Sequence, residues 1–176
     1  MGYYNFITDY SFQDTIPIVE PVTLAEAKNY CRVTTSADDA LIELMITQAR
    51  EAMEKATGLS LIPRQVEVWF NNTASNFELP FGPVTYFMQL IDEQGNYIDA
   101  ADYKLIGGQF PKLQYPKYIN LTASYLAGGC CPKDLKLAIL DQVSYDYENR
   151  GLDANTGICE KAWRACQRNT RISPLL

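Results

Sequence analysis

The side chains that most often carry out chemistry in proteins are histidine, cysteine and paired carboxylates, and this sequence offers only part of that set. It contains no histidine among its 176 residues, which excludes Ser-His and Cys-His nucleophile pairs and the usual zinc sites with imidazole ligands. The cysteines form no C-x-x-C motif, and an odd number without a secretion signal favours reduced thiols in a cytosolic compartment. A cysteine nucleophile is therefore the weakest functional hypothesis, because its activation would fall to lysine or arginine. The five cysteines are Cys31, Cys130, Cys131, Cys159 and Cys166.

Two carboxylate pairs are the remaining candidates for acid–base chemistry or cation binding: Asp38 with Asp39, and Asp92 with Glu93. The first pair lies at a predicted helix start and the second leads into a predicted turn, two places where acidic residues are favoured for structural reasons. No G-x-x-x-x-G-K or G-x-G-x-x-G motif occurs, so no phosphate-binding loop is predicted. We therefore predict a protein that works through its surfaces, without a catalytic site, metal or cofactor.

The charge is acidic overall but unevenly distributed. The chain has 21 Asp and Glu against 15 Lys and Arg, a net of -6, whereas residues 158–176 carry four basic residues and one acidic residue. An acidic body argues against wrapping DNA by charge neutralisation. A basic terminal region on such a body predicts docking onto an acidic partner or onto another copy of the chain, with a solvated helix end as the alternative.

No apolar stretch approaches the roughly 20 residues that a membrane span requires. The residues before Pro21 lack the basic start and apolar run of a signal peptide. We therefore expect a soluble protein with no membrane partner.

The hydrophobic pattern predicts an α+β protein, a helical bundle of about four helices with an inserted small antiparallel β-sheet. Residues 1–20 are aromatic without a period and predict an N-terminal arm. The main domain is predicted at 21–151, with helices at 23–33, 37–57 and 132–150 and strands within 61–127. Residues 158–176 are predicted to form a C-terminal docking helix and tail, whose deletion we expect to leave a folded domain.

The predicted helix at 37–57 has the clearest local signals, with Ser36 as N-cap and Gly58 as C-cap. The shorter helix before it opens with a capping box formed by Thr23 and Glu26. Most of the apolar residues of the 37–57 helix cover an arc of roughly 140°. An arc this wide predicts two packing partners, one inside the subunit and one in a neighbour. The candidate subunit-interface residues are Leu41, Leu44, Met45, Ala49, Ala52 and Ala56.

The C-terminal region has the composition of a docking site, because Trp and Arg often dominate the binding energy of an interface. Its partner is left open between an acidic protein and another copy of the chain. The candidate docking residues are Trp163, Arg164, Arg168, Arg171, Ile172, Leu175 and Leu176.

Four segments, in order, resemble the bacteriophage head–tail connector (adaptor) proteins. They are PVTLAEAKNYCRV, DDALIELMITQAREAMEKATG, LPFGPVTYFMQLIDEQGNYID with DYKLI, and SYLAGGCCPKDLKLAILDQVSYDYENRG. The resemblance implies a structural virion protein, assembled in the host cytoplasm, that forms a ring of about twelve copies at the portal vertex. It also implies that the ring extends the DNA channel and joins the portal protein to the next neck or tail protein. Genomic double-stranded DNA would then pass through the ring without specific binding.

An alternative function is that of a tail-completion or stopper protein, which gates DNA exit. Such a protein needs a loop able to occlude a channel. Residues 107–117, which contain two glycines and two prolines, are the candidate for that loop.

Overall fold

The computed structural model describes residues 7–13, 18–71, 76–108, 110–116, 120–150 and 157–170. Within these ranges the chain forms four helices and seven strands. Their order is β1 (Ile7–Gln13), α1 (Leu24–Cys31), α2 (Asp39–Thr57), β2 (Arg64–Phe70), β3 (Asn76–Glu78), β4 (Val84–Asp92), β5 (Lys104–Ile106), β6 (Lys112–Gln114), β7 (Leu121–Ala127), α3 (Lys133–Glu148) and α4 (Glu160–Asn169). They divide into two compact units: a strand unit, Met1–Ile18 with Pro63–Cys130, and a helical unit, Val19–Ile62 with Cys131–Leu176.

The strand unit contains two antiparallel sheets, one of four strands in the order β1-β2-β7-β4 and one of three in the order β3-β6-β5. Strand β2 follows its sequence pattern, since alternate side chains are buried: Val66, Val68 and Phe70. Phe77 of β3 and Leu113 of β6 join the same hydrophobic core. The two sheets therefore share one core within this unit.

The turn after β4 is built around Asp92. Its carboxylate accepts backbone hydrogen bonds from Asn96 at 2.8 Å and Gln94 at 3.0 Å. The backbone hydrogen bond from Asn96 is the largest cause, and together with the bond from Gln94 it lowers the pKa of Asp92. Gly95 completes the turn at a φ of 84°, a conformation that glycine adopts without strain. The structural interpretation of this carboxylate pair is confirmed, because Asp92 caps a turn.

The helical unit begins with the predicted capping box on α1. The Thr23 backbone N–H donates to the Glu26 carboxylate at 2.9 Å, and the Glu26 N–H donates to the Thr23 hydroxyl at 3.2 Å. The start of α2 differs from prediction, because its N-cap is Asp38 instead of Ser36 and makes no side-chain cap bond. The Asp38 carboxylate instead accepts a 2.6 Å hydrogen bond from the Tyr147 hydroxyl on α3. A tertiary contact has replaced the local cap.

All four helices contribute to the hydrophobic core of the helical unit. In α4, Ala162, Ala165 and Cys166 are buried, and the Cys166 Sγ lies 3.2 Å from the Met53 Sδ of α2. Helix α4 thus supplies part of this core. This packing argues against the expectation that residues 158–176 can be deleted without loss of folding, and that expectation stays a prediction.

The predicted helical bundle with a small inserted sheet is also wrong. The fold is mixed α+β, with four helices and two antiparallel sheets among the described residues, and the sheets have a hydrophobic core of their own. One cause is β1, since residues 7–13 pair with β2 although their aromatic residues show no strand period. A second cause is that β3, β5 and β6 have three residues each. Strands this short show no reliable alternation.

Candidate assembly surfaces

The cysteines and clustered acidic residues are the groups whose surroundings bear on reactivity. In the described part of the chain, no group of three or more His, Cys, Asp or Glu side chains is placed to hold a metal ion. Burial raises the pKa of Cys166 to about 11 and also raises the pKa of Cys31. A nucleophilic cysteine needs the opposite shift, towards the thiolate. Cys130 is exposed, while the Cys131 thiol lies 3.6 Å from the Pro132 carbonyl oxygen.

The candidate interface residues of α2 occupy three environments. Met45 and Ala49 are buried in the core of their own helical unit. Three more are half-buried against that core: Leu41, Ala52 and Ala56. Leu44 is 64% exposed. Leu44 is thus the large apolar member of the set that is open to a neighbour, and the interface role of the set stays a prediction.

Helix α2 also buries a charge that the sequence analysis did not select. The Arg50 side chain is 3% exposed, and its guanidinium donates to Glu54 at 2.7 Å, to Glu20 at 2.9 Å and to Glu51 at 3.4 Å. Burial alone would lower the pKa of Arg50, but the interactions with Glu20 and Glu54 outweigh it and raise this pKa. The second Glu54 oxygen accepts a 2.7 Å bond from the Leu61 backbone N–H. This carboxylate network ties the segments before α1 and after α2 to the middle of α2.

Helix α4 has an apolar inner side and a basic, aromatic outer side. On the outer side Trp163 is 45% exposed, and Arg164 and Arg168 are exposed as well. Arg164 pairs with Glu160 one turn earlier, and the Arg168 Nε lies 3.8 Å from the Asp134 carboxylate. Exposed pairs of this kind contribute little, so both guanidinium groups can still bind a partner. The other candidate docking residues lie outside the described residues: Arg171, Ile172, Leu175 and Leu176.

A cleft of about 440 Å³ lies among α1, α3 and the start of α4. The Tyr30 hydroxyl donates a 2.7 Å hydrogen bond to the Asp141 carboxylate, and the Lys161 Nζ lies 3.6 Å from the same oxygen. The bond to Asp141, followed by burial, raises the pKa of Tyr30 to about 12 and keeps its hydroxyl neutral. Tyr145 and Glu148 line the same space. These five residues define what we call the tyrosine cleft.

The candidate occluding loop, 107–117, is not one loop in the structure, because it includes the β5–β6 turn, strand β6 and residues after that strand. Gly107 has a φ of 116°, and a Cβ added there would lie 3.1 Å from the Phe110 carbonyl oxygen, so this position favours glycine. Ile106 and Phe110 are exposed at the tip. Residue 109, residue 117 and their side chains lie outside the described residues. A gating role for this hairpin stays a prediction.

Residues 21–109 match the family described as phage gp6-like head-tail connector protein. The match spans half of the chain, and the chain belongs to this family. The predicted resemblance to head–tail connectors is thereby confirmed. Membership supports a structural role in the virion neck. Among the described residues no helix has the length and apolar character needed to cross a membrane.

Solved structures with a similar fold come from gene transfer agent (GTA) particles. A chain from the neck of the empty GTA particle, computed with C6 symmetry, has a TM-score of 0.70 and 20% identity, covering 91% of this chain and 95% of that one. A chain from the native GTA virion has a TM-score of 0.68 and 20% identity, with 90% and 94% coverage. A chain from the neck of the native particle, computed with C12 symmetry, has a TM-score of 0.61 and 19% identity, covering 85% of this chain and 94% of that one. Identity this low shows a shared fold alone. A search of the curated proteins found no match.

Sequence reasoning missed both the Arg50 network and the tyrosine cleft. The network had a local signal, since Glu54 follows Arg50 at the i+4 position, although Arg50 lies about 40° beyond the edge of the apolar arc of α2. The cleft had none, because Tyr30, Asp141 and Lys161 lie on three different helices and no sequence period connects them.

Proposed function

We propose that this chain is a ring subunit of the virion neck, which extends the DNA channel and joins the portal protein to the next neck or tail protein. The observation that carries this proposal is membership of the head-tail connector family over residues 21–109. The neck structures that share its fold were computed with C6 and C12 symmetry, and this supports a closed ring of identical copies. On this proposal the subunits assemble in the host cytoplasm before they enter the virion.

A ring held by head-to-tail contacts needs two different surfaces on every copy. We place the subunit interface on α2, where the exposed Leu44 makes the contact and the other candidate residues support it from the core: Leu41, Met45, Ala49, Ala52 and Ala56. We place the docking surface on residues 158–176, beginning with Trp163 and the two arginines of α4. The exposed leucine of α2 and the tryptophan with arginines of α4 are two different surfaces available to neighbours.

The charge distribution supports a channel that DNA passes through without binding. The chain carries a net charge of -6. DNA affinity arises largely from Lys and Arg groups that displace counterions from phosphates. An acidic channel wall offers few such contacts, so genomic double-stranded DNA would slide past it.

The joining role can be tested with particles that lack this chain. Inactivating its gene should yield separate heads and tails, and supplying the wild-type chain should restore joined particles. Leu44→Asp should fail to restore them, whereas Gln48→Asp, at an exposed position one turn later on α2, should succeed. Normally joined particles in the complete absence of the chain would refute the proposed function.

A further inference from the structure

The helical unit has a polarity along its α3 and α4 pair. These helices are antiparallel, because the Cys159 N–H before α4 binds the Gln142 side chain at 2.7 Å, whereas Asn169 at the end of α4 binds Asp134 near the start of α3 at 2.6 Å. The start of α4 therefore lies beside the second half of α3, at the tyrosine cleft. Arg168 lies at the opposite end of the pair, beside Asp134.

The cleft end of α3 carries two carboxylates, Asp141 and Glu148, and among the described residues only Asp141 has a basic partner, Lys161. Asp141 and Glu148 both line the cleft, and the last turn of α3 contains no basic residue. Carboxylates near a helix C-terminus also face the negative end of the helix dipole. Arg150, just beyond the helix, stacks over the Tyr147 ring at 4.2 Å. In the described part of the chain no lysine or arginine forms an ion pair with Glu148, so a cation from outside would be stabilised here.

The walls of the tyrosine cleft suit a guanidinium group. Tyr30 and Tyr145 are both partly exposed at its edge, at 39% and 37%. Arginine pairs its planar fork with a carboxylate and stacks its flat face on aromatic rings, which a lysine ammonium cannot do as well. Asp141 is already bonded to Tyr30 and Lys161. Glu148 is thus the carboxylate left to receive an arginine.

We propose that the tyrosine cleft of each copy binds the basic outer side of α4 from a neighbouring copy, with Arg168 of the neighbour on Glu148. The inference rests on the proposed ring and names the partner that the docking residues engage. Charge complementarity selects this occupant, because α4 and the tail carry the basic excess of an otherwise acidic chain. The contact joins opposite ends of the α3 and α4 pair, so it is heterologous and repeats from copy to copy, as a ring requires.

Charge reversal in the full-length chain tests this contact. Self-association of the purified protein is measured by sedimentation equilibrium up to millimolar concentration, for wild type, Arg168→Glu, Glu148→Lys and the double variant. Each single reversal should weaken self-association about tenfold, and the double variant should return to within a few-fold of wild type. Lys133→Glu and Glu43→Lys are the matched controls, because both positions are exposed and lie on helices of the same unit. Neither control should change the affinity, and unchanged thermal melting of all variants checks their folding.

Two results overturn the contact. A wild-type chain that stays monomeric at millimolar concentration shows that α4 has no site on a second copy. Single reversals that leave self-association unchanged, or a double variant that recovers nothing, show that the copies meet elsewhere. Neither result refutes the ring itself, which the particle experiment tests independently.

Discussion

Replacing Arg50 by methionine should destabilise the helical unit far more than a typical helix substitution. Arg50 is 3% exposed, and its two close partners, Glu54 and Glu20, have side chains that are 11% and 21% exposed. Methionine keeps much of the volume but leaves these two carboxylates facing each other without their cation. Removing one partner of a buried ion pair costs about 3–5 kcal/mol.

The lower end of this range applies, because Glu20 is still partly in contact with water. Glu51 adds little, since its side chain is 65% exposed and 3.4 Å from the guanidinium. We therefore expect the free energy of unfolding to fall by about 3 kcal/mol. This change is measured by urea unfolding, with the helix content followed by circular dichroism. Lys55→Met, at an exposed position on the same helix, is the control and should stay within about 0.5 kcal/mol of wild type. A loss equal to that of Lys55→Met would refute the role given to the buried network.

Three further predictions concern single sites and the C-terminal region. The hydrogen bond from Lys136, and then those of the capping box, lower the pKa of Glu26 from 4.5 to about 2. The stability that the Glu26 carboxylate adds is present above its unfolded pKa and is lost as the pH falls towards 2, so the difference in unfolding free energy between wild type and Glu26→Gln should close from pH 5 to pH 2. A constant difference in urea unfolding over this range would contradict this. Because burial raises the pKa of Cys166 to about 11, iodoacetamide should modify the exposed Cys130 at least about tenfold faster at pH 7.5, as peptide mass spectrometry can show, and equal rates would contradict the burial of Cys166. Deleting residues 158–176 should lower the melting temperature of the helical unit, followed by circular dichroism, because α4 fills part of its core. An unchanged melting curve would show that α4 does not contribute to that core.

The local features of the fold were readable from sequence, whereas its long-range pairings were not. The Thr23 capping box and the alternation along β2 depend on residues a few positions apart, and the structure confirms both. Strand β1 depends on a partner strand more than fifty positions away along the chain, and its own residues show no period. The same limit applies to the start of α2, where Asp38 replaces the predicted Ser36 as N-cap and its carboxylate accepts a bond from Tyr147 on α3.

The candidate surfaces also depend partly on local sequence and partly on contacts between residues far apart in the chain. The exposure of Leu44 follows from its position outside the apolar arc of α2, which the sequence displays. The role of α4 in the core does not follow from its composition, because its basic residues predicted a docking helix, with a solvated helix end as the alternative. Only packing against Met53 and the rest of the helical core shows that α4 is a structural element as well.

A reconstruction of the neck of its own particle would test whether many copies of this chain form a ring there. We predict density for this fold in a closed ring between the portal and the next neck or tail protein, with the outer side of α4 against a neighbouring copy. A complete neck without this chain, or the chain present as a single isolated copy, would contradict the proposed ring.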